Sequence, residues 1–245
     1  LENQLETCWN LGVYYDCLNF ESQIIRSGLW GRIFEKLKEM NLVEFENEGK
    51  NAGCWVIRGE NLEEDKVLVR SNDTATYIAK DIPYAAWKLK LLEDPFNYQK
   101  YEKMQPENHL LWQTTLTPSN HPKQNFTGER VITVIDSRQA RLQKIITTLM
   151  SRFKSVPDAY VHLSYESVTL SADTAQTLGL NTDGKQIQMS GRKGLYVNAD
   201  SVYDLLKHKT IEETRKRHPE MSDHDIEKIS HHVSVGTLRY EMIKQ

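Results

Sequence analysis

The loop at residues 188–194 contains residue types that suit the binding of a phosphate group. Its sequence is Gln-Met-Ser-Gly-Arg-Lys-Gly, and it lies between two short apolar runs with the composition of strands. Glycines let a backbone approach a ligand closely, and the adjacent cations Arg192 and Lys193 are suited to stabilising charge on a transferring or departing phosphate. A solvated hairpin turn explains the same composition equally well, so the loop alone does not establish a site.

A second polar pair, Tyr77 and Asp81, lies where a predicted strand meets a predicted helix. Residues 75–78 are expected to form a returning strand, and Asp81 is expected to be the N-cap of the next helix, with Pro83 in its first turn. Capping and packing alone would account for both residues. The functional alternative is a carboxylate and a phenol that are directed into a cleft and bind a cation.

A third polar group, residues 137–139, follows an apolar run at 131–135 that is typical of a strand covered on both faces. A helical pattern begins directly afterwards. Because ligands of open parallel sheets gather where strands end and helices begin, Gln139 is placed at a candidate binding edge. A second predicted strand at 159–165 contains His162, and a lone strand histidine is more often a core residue than a ligand.

The remaining patterns predict the elements that would position these residues. Apolar residues recur at helical spacing over 22–40, and two strand-like runs at 42–46 and 53–57 flank a polar turn. The expected fold is α/β: a Rossmann-like parallel sheet with flanking helices, a small β-hairpin insertion and a helical C-terminal segment. Four parts are predicted: a helix and hairpin insertion at 1–65, a catalytic core at 66–92 plus 131–200, a long inserted loop at 93–130, and a helical segment at 201–245.

Composition indicates a soluble globular protein and excludes a membrane-spanning one. Of the 245 residues, 39% are hydrophobic and 27% are charged, and no apolar run approaches the length of a membrane span. The three cysteines have no metal-ligand spacing, so a reducing cytoplasmic location and no tightly bound metal are expected. Residues 1–65 have a net charge of −7 and residues 66–245 a net charge of +4, which weakly favours a polyanionic partner for the later part.

Several separated segments together resemble the class I arginyl-tRNA synthetases, particularly those of archaeal type. They are residues 67–88, which include Tyr77 and Asp81; 134–139, Val-Ile-Asp-Ser-Arg-Gln; 161–165, Val-His-Leu-Ser-Tyr; the 188–194 loop, similar to a variant Lys-Met-Ser-Lys-Ser loop; and 235–240, Val-Gly-Thr-Leu-Arg-Tyr. Their order and spacing hold over nearly the whole chain. Agreement among several segments is far more specific than any one of them.

The resemblance implies a role for each matching residue. Tyr77, Asp81 and Gln139 match positions that contact the substrate arginine, with Asp81 providing the negative charge. ATP-binding positions are matched by four residues: His162, Met189, Ser190 and Gly191. Arg192 and Lys193 are the candidate catalytic residues that would stabilise the pyrophosphate. The implied reaction activates L-arginine with ATP and Mg²⁺ and transfers it to tRNA(Arg), in a cytoplasmic enzyme that is a monomer in its full-length form.

Two departures from the family pattern leave alternatives open. The loop has Gln188 and Gly191 where the generic class I loop has lysines, and the His-Ile-Gly-His motif does not occur in these residues. The expectation is therefore a piece of a catalytic domain that lacks this motif and the anticodon-binding domain and cannot aminoacylate alone. The alternatives are a non-catalytic paralogue that binds arginine or tRNA, another class I aminoacyl-tRNA synthetase or nucleotidyltransferase, and an α/β domain without a ligand.

Overall fold

The computed structural model describes residues 1–58, 65–76, 78–154, 156, 158–166, 169–170, 172–177, 187–188 and 197–243. The helices in these ranges are α1 (Glu2–Asn10), α2 (Glu21–Arg26), α3 (Leu29–Glu39), α4 (Ile78–Lys88), α5 (Ala140–Phe153), α6 (Ala172–Thr177), α7 (Ala199–Arg217) and α8 (Asp223–Ile243). The strands are β1 (Cys17–Leu18), β2 (Glu44–Glu46), β3 (Cys54–Ile57), β4 (Lys66–Val69), β5 (Asn97–Lys100), β6 (Trp112–Thr115), β7 (Val131–Asp136), β8 (Tyr160–Tyr165), β9 (Thr169–Leu170) and β10 (Ile187–Gln188). In the described part of the chain, no helix is both long and apolar enough to cross a membrane.

The chain divides into two compact units, one continuous and one built from both ends of the sequence. The continuous unit comprises residues 15–165, and the other comprises residues 1–14 and 166–245. The mixed α/β character confirms the predicted fold class. The four-part division of the chain that the sequence suggested remains a prediction.

The predicted helix at 22–40 is two helices in the structure, α2 and α3. Gly28 separates them with a left-handed φ of 73°, a conformation that glycine adopts without steric cost. The apolar spacing continues through the break, which is why the sequence pattern did not reveal it. Asn41, two residues after the end of α3, has a left-handed φ of 53°, a conformation that is common where helices end.

The predicted hairpin is confirmed as the antiparallel pair β2–β3, which β4 extends to a three-stranded sheet. The return strand expected at 75–78 is wrong at Ile78, which begins a helix; among the described residues of this stretch, Ala75 forms an antiparallel bridge to Val69 and Thr76 N donates to Leu68 O at 2.8 Å. Backbone bonds hold the turn: Arg70 N donates to Thr74 O at 3.0 Å. The chain then enters α4 at Ile78, three residues before Asp81, the predicted N-cap.

The stretch at 93–130 contains regular structure that its polar composition did not predict. β5 and β6 pair antiparallel, and β6 also pairs in parallel with β1, which lies about 95 residues earlier in the chain. The expectation of a long loop without secondary structure is therefore wrong for these residues. Side chains such as Tyr98 and Thr114 are buried, so the stretch forms part of the folded unit.

β7 and β8 form a parallel pair in which Val131 lies opposite Tyr160 and Thr133 lies opposite His162. α5 packs against β8 and covers the face that contains these side chains. Side chains on the opposite face are largely exposed: Ile132 is 59% exposed and Val134 is 63% exposed. The sequence predicted a strand covered on both faces, and in this structure the apolar run 131–135 is covered on one.

The core of the continuous unit is centred on α4, which packs between α3 and α5. Trp87 is fully buried and donates its indole N–H to Asp94 Oδ1 at 2.9 Å. The same carboxylate accepts hydrogen bonds from Phe96 N at 3.0 Å and Tyr98 OH at 2.8 Å, and Lys123 Nζ lies 3.2 Å from Oδ2. This network joins the end of α4 to β5.

In the other unit, α7 and α8 pack antiparallel, as the pairing of Lys207 with Glu227 at 2.6 Å illustrates. The Asn198 side chain caps α7 by accepting a hydrogen bond from Asp200 N. α1 is tied to the start of α7, because the Thr7 hydroxyl donates to Asp200 Oδ1 at 2.9 Å across 193 residues of sequence. β9 and β10 form a short antiparallel pair in the same unit.

Candidate functional site

A cavity of about 430 Å³ lies between α4, α5 and the covered face of the β7–β8 sheet. It is lined by Lys80, Asp81, Tyr84, Ala85, Lys88, Thr133, Ile135, Gln139, Leu142, Gln143 and Tyr160. Two of the residues that the sequence singled out, Asp81 and Gln139, therefore line one cavity although 58 positions separate them. The cavity is the candidate functional site.

Asp81 enters the cavity from the first turn of α4. The helix begins at Ile78, so Asp81 is its fourth residue, and the prediction that it is the N-cap is wrong. Pro83 is likewise the sixth helical residue and lies outside the first turn. Proline at this depth removes a backbone hydrogen bond, and the packing of the apolar face of α4 in the core outweighs that local cost.

The Asp81 carboxylate is half-buried and has no hydrogen bond or ion pair with any residue in the described ranges. Burial is the main cause that raises its pKa, and nearby Glu21 raises it further while Lys80 lowers it. A carboxylate in this position is destabilised by lost hydration and gains from any cation that reaches it. The environment of Asp81 therefore favours the binding of a positively charged ligand.

Two glutamines at the start of α5 line the cavity, one turn apart. Gln139 directly precedes the helix and is exposed, so it lies at the rim. Gln143, which the sequence analysis did not single out, is only 3% exposed. A polar residue among the inward-facing apolar positions of α5 was the pattern that could have identified it.

Gln143 belongs to a hydrogen-bonded chain with Tyr160 and Thr133. The Tyr160 hydroxyl donates to Gln143 Oε1 at 2.9 Å, and the Thr133 hydroxyl donates to Tyr160 at 2.8 Å. Burial is the main cause that raises the pKa of Tyr160; the hydrogen bond from Thr133 acts to lower it, and the charge of Asp81 raises it. The phenol is therefore neutral at physiological pH and lies within electrostatic reach of Asp81.

Two lysines also line the cavity, and their charges are partly offset. Lys80 Nζ is 2.7 Å from Glu21 Oε2, and this ion pair raises the pKa of Lys80. Lys88 follows Asp81 by two turns of α4, about 10 Å along the helix axis. Its ammonium group lies 4.1 Å from the centre of the Tyr84 ring, and burial lowers its pKa. The Asp81 end of the cavity is consequently the end suited to a cation.

The other predicted site residues are not brought into this cavity. His162 lies on the covered face of β8, but its Nε2 is hydrogen-bonded to Ile135 O at 3.0 Å and its ring does not line the cavity. Tyr77, Met189, Ser190, Gly191, Arg192 and Lys193 lie outside the described residues. The roles expected for these residues remain predictions. Within the described ranges, no group of three or more His, Cys, Asp or Glu side chains is arranged to hold a metal ion.

The arrangement suits the binding of a planar cation that has several N–H donors. Asp81 supplies a charge and two acceptor oxygens, and the amide oxygen of Gln139 and the hydroxyl oxygen of Tyr160 are further possible acceptors. Charge-assisted hydrogen bonds between N–H donors and a carboxylate are stronger than neutral ones. A guanidinium group fits this donor and acceptor pattern better than an ammonium group, which is a compact point charge.

Comparison with known proteins gives independent findings. No protein-family model matches the chain. The arginine–tRNA ligase of Thermococcus sibiricus is 30% identical in an alignment that covers 98% of this chain and 36% of that protein. An arginine–tRNA ligase of Thermus thermophilus is 32% identical over 98% of this chain and 38% of its own length. The solved arginyl-tRNA synthetase of Thermus thermophilus superimposes with a TM-score of 0.79 at 28% identity, over 99% of this chain and 38% of that one.

These matches confirm the resemblance that the motifs predicted. The chain spans between 36% and 38% of the length of these curated relatives, so it corresponds to one segment of them. The agreement of fold with a solved synthetase supports the same assignment from coordinates. In sequence over nearly its whole length, and in fold, this chain is similar to a segment of the arginyl-tRNA synthetases.

Proposed function

We propose that this chain is part of an arginine–tRNA ligase and that the cavity between α4 and α5 binds the side chain of L-arginine. The observation that supports this most directly is the half-buried Asp81 carboxylate, which has no ionic partner among the described residues and shares its cavity with Gln139. The similar proteins are named arginine–tRNA ligases, which supports L-arginine as the ligand of this cavity.

In the proposed complex, Asp81 forms charge-assisted hydrogen bonds with the guanidinium group. Gln139, at the rim, contacts the same ligand through its amide group, and Tyr77 adds a hydrogen bond as the family resemblance implies. An exposed ion pair would contribute little, but Asp81 is half-buried, so its interaction with a cation is screened less by water.

The proposed reaction has two steps. An oxygen of the arginine carboxylate attacks the α-phosphorus of ATP in line, a new P–O bond forms, and pyrophosphate leaves with the electrons of the broken bond. The terminal ribose hydroxyl of tRNA(Arg) then attacks the activated carbonyl, and AMP leaves. In this scheme Arg192 and Lys193 stabilise the pyrophosphate, while His162 and residues 189–191 contact ATP. Mg²⁺ accompanies the ATP phosphates as part of the substrate.

The direct test is calorimetric titration of L-arginine into the 245-residue chain and into its Asp81→Asn variant. The variant keeps the shape of the side chain but removes its charge, and we expect a loss of affinity of about 10- to 100-fold. Asp73→Asn, in an exposed turn, is the matched control and should bind arginine as the unmodified chain does. Equal affinities for all three proteins would refute the proposal. A lower melting temperature in Asp81→Asn would show a structural role.

Catalysis by this chain is a separate question from binding. Since the His-Ile-Gly-His motif is not present in these residues, we expect no arginine-dependent exchange of pyrophosphate into ATP. Arginine binding without exchange is also what a non-catalytic paralogue would give. The same assay on a full-length protein that contains this chain distinguishes the two, because a ligase would exchange and a paralogue would not.

A further inference from the structure

We propose that Tyr160 determines specificity for the guanidinium group, because its hydroxyl is presented to the cavity as an acceptor without a free proton. This inference rests on the proposed function and deepens it. Asp81 provides the charge that attracts a cation, and the neutral Tyr160 hydroxyl distinguishes N–H donors from carbonyl oxygens. Thr133 and Gln143 act as positioning residues for that hydroxyl.

The direction of the hydrogen bonds follows from the chemistry of the three groups. An amide oxygen only accepts, so the 2.9 Å bond between Tyr160 and Gln143 Oε1 uses the single phenolic proton. With that proton engaged, the 2.8 Å bond between Thr133 and Tyr160 requires the threonine hydroxyl to be the donor. The Tyr160 oxygen retains acceptor capacity and has nothing left to donate.

The location of the network protects this arrangement from water. Tyr160 is 6% exposed and Gln143 is 3% exposed, so solvent does not compete freely for either group. Thr133 and Tyr160 lie on the same face of the β7–β8 sheet, because Tyr160 pairs with Val131, two residues before Thr133. Backbone pairing of two strands therefore holds the threonine and the phenol in register.

A ligand that enters the cavity meets acceptors at both Asp81 and Tyr160. Guanidinium nitrogens present N–H donors to both. Citrulline has nearly the same shape as arginine but is neutral and replaces one terminal nitrogen by a carbonyl oxygen, which would face an acceptor. A buried site that leaves an acceptor unpaired or opposed rejects such an analogue strongly.

The test measures the affinities of L-arginine and L-citrulline for the unmodified chain and for three variants. Tyr160→Phe removes the acceptor, and we expect arginine to bind about 5- to 10-fold more weakly, with a smaller change for citrulline. Gln143→Met leaves the phenolic proton without its acceptor, so that the proton can turn toward the ligand. The preference for arginine over citrulline should then fall by about 10-fold.

Gln143→Glu is the matched control for Gln143→Met, because it retains an oxygen that accepts the phenolic proton. This variant should retain the preference for arginine that Gln143→Met loses. Thermal melting establishes that each variant is folded, and any Gln143 variant that does not fold leaves Tyr160→Phe as the deciding one.

The outcomes separate this inference from the proposed function. If the unmodified chain binds arginine and Asp81→Asn does not, but Tyr160→Phe and Gln143→Met retain the full preference for arginine over citrulline, the role of Tyr160 is refuted and the proposed function stands. If the unmodified chain does not bind arginine, the proposed function fails and the inference falls with it. Loss of preference in both variants, with its retention in Gln143→Glu, supports the inference.

Discussion

Asp81 and Asp94 are both half-buried carboxylates near α4, but they differ in how their oxygens are satisfied. Asp94 accepts hydrogen bonds from Trp87, Phe96 and Tyr98 and forms an ion pair with Lys123. Asp81 has no such partner among the described residues, and burial raises its pKa. A saturated carboxylate stabilises the fold, whereas an unsatisfied one stores unfavourable energy that a ligand relieves.

The raised pKa of Asp81 predicts the pH dependence of arginine binding. In the empty cavity Asp81 retains its proton to a higher pH than in the unfolded chain, so ionisation lowers folding stability as pH rises through the folded pKa. Bound guanidinium favours the ionised form, and binding should release a proton in this range. We expect affinity to fall up to about 10-fold per pH unit below the raised pKa.

Calorimetry at several pH values, in buffers of different ionisation enthalpy, measures both the affinity and the protons released. Asp81→Asn provides the control, since its residual affinity should not vary with pH in the acid range. Proton uptake on binding, or an affinity that rises as pH falls, would contradict the assignment of Asp81.

Asp94→Asn should destabilise the protein more than Tyr98→Phe. The asparagine places an amide nitrogen where Oδ2 accepts from Tyr98 and pairs with Lys123, so we expect a loss of about 2 kcal/mol in the free energy of unfolding. Tyr98→Phe removes one hydrogen bond only and should cost about 1 kcal/mol. Denaturant titration of the two variants measures the difference, and equal losses would show that the carboxylate is not the centre of the network.

At the scale of elements, the sequence predicted those with strong local patterns and missed those that depend on distant contacts. The β2–β3 hairpin was predicted because apolar runs flank a polar turn. β5 and β6 were missed because Asn-Tyr-Gln-Lys and Trp-Gln-Thr-Thr are polar strands, and β6 pairs with β1 about 95 residues away. Local periodicity contains no information about such a partner.

The candidate site was predicted in part, and the reason is similar. Asp81 and Gln139 were identified through motif resemblance, and the structure brings them to one cavity. Tyr160 and Gln143 belong to no recognised motif. Their relation to the site depends on a hydrogen bond between residues 17 positions apart, which the sequence does not reveal. The start of α4 was misplaced because proline favours a first turn, and tertiary packing overrode that preference at Pro83.

Two glycines with the same backbone conformation should differ in their tolerance of alanine. Gly28 and Gly53 have φ values of 73° and 79°, which cost an L-residue about 1 kcal/mol. A β-carbon at Gly28 would meet open space, whereas one at Gly53 would lie 3.0 Å from Ser71 Cβ. We therefore expect Gly28→Ala to lower the unfolding free energy by about 1 kcal/mol and Gly53→Ala by about 2 kcal/mol.

Denaturant unfolding of the two alanine variants measures the loss of unfolding free energy in each. If the two variants have the same m-value, the difference between their midpoints gives the comparison directly. Gly28→Asn is the additional control, because asparagine tolerates the left-handed conformation and should recover part of the lost stability. A Gly28→Ala variant as unstable as Gly53→Ala would mean that backbone strain alone accounts for both effects.

At the scale of the whole molecule, the largely exposed apolar face of the β7–β8 sheet is the least usual feature of the described residues. Parallel strands are normally covered on both faces, yet Ile132, Val134, Leu163 and Tyr165 are each about half exposed or more. Contiguous exposed apolar side chains promote association between molecules. The cavity lies on the other face of the same sheet, so the two surfaces can be altered separately.

Replacing Ile132 and Val134 by threonine should reduce concentration-dependent self-association. Threonine retains the β-branch that strands favour and lowers the apolar area. Sedimentation velocity over a range of concentrations measures association, and arginine titration should show unchanged affinity because these side chains point away from the cavity. Ile135→Thr, on the cavity face, is the contrasting control and should affect arginine binding without reducing association. Unchanged association in the double variant would locate the contact elsewhere.

The bond between Thr7 and Asp200 has a consequence for the order in which the chain folds during synthesis. A ribosome adds about 5–20 residues per second, so α1 emerges some 10–40 s before its partner at the start of α7. A helix of nine residues is too short to persist alone in water. Residues 15–165 form one continuous unit, so all of them leave the ribosome within that interval. α1 therefore waits for α7 during synthesis, and chaperones or proteases have that time in which to bind it.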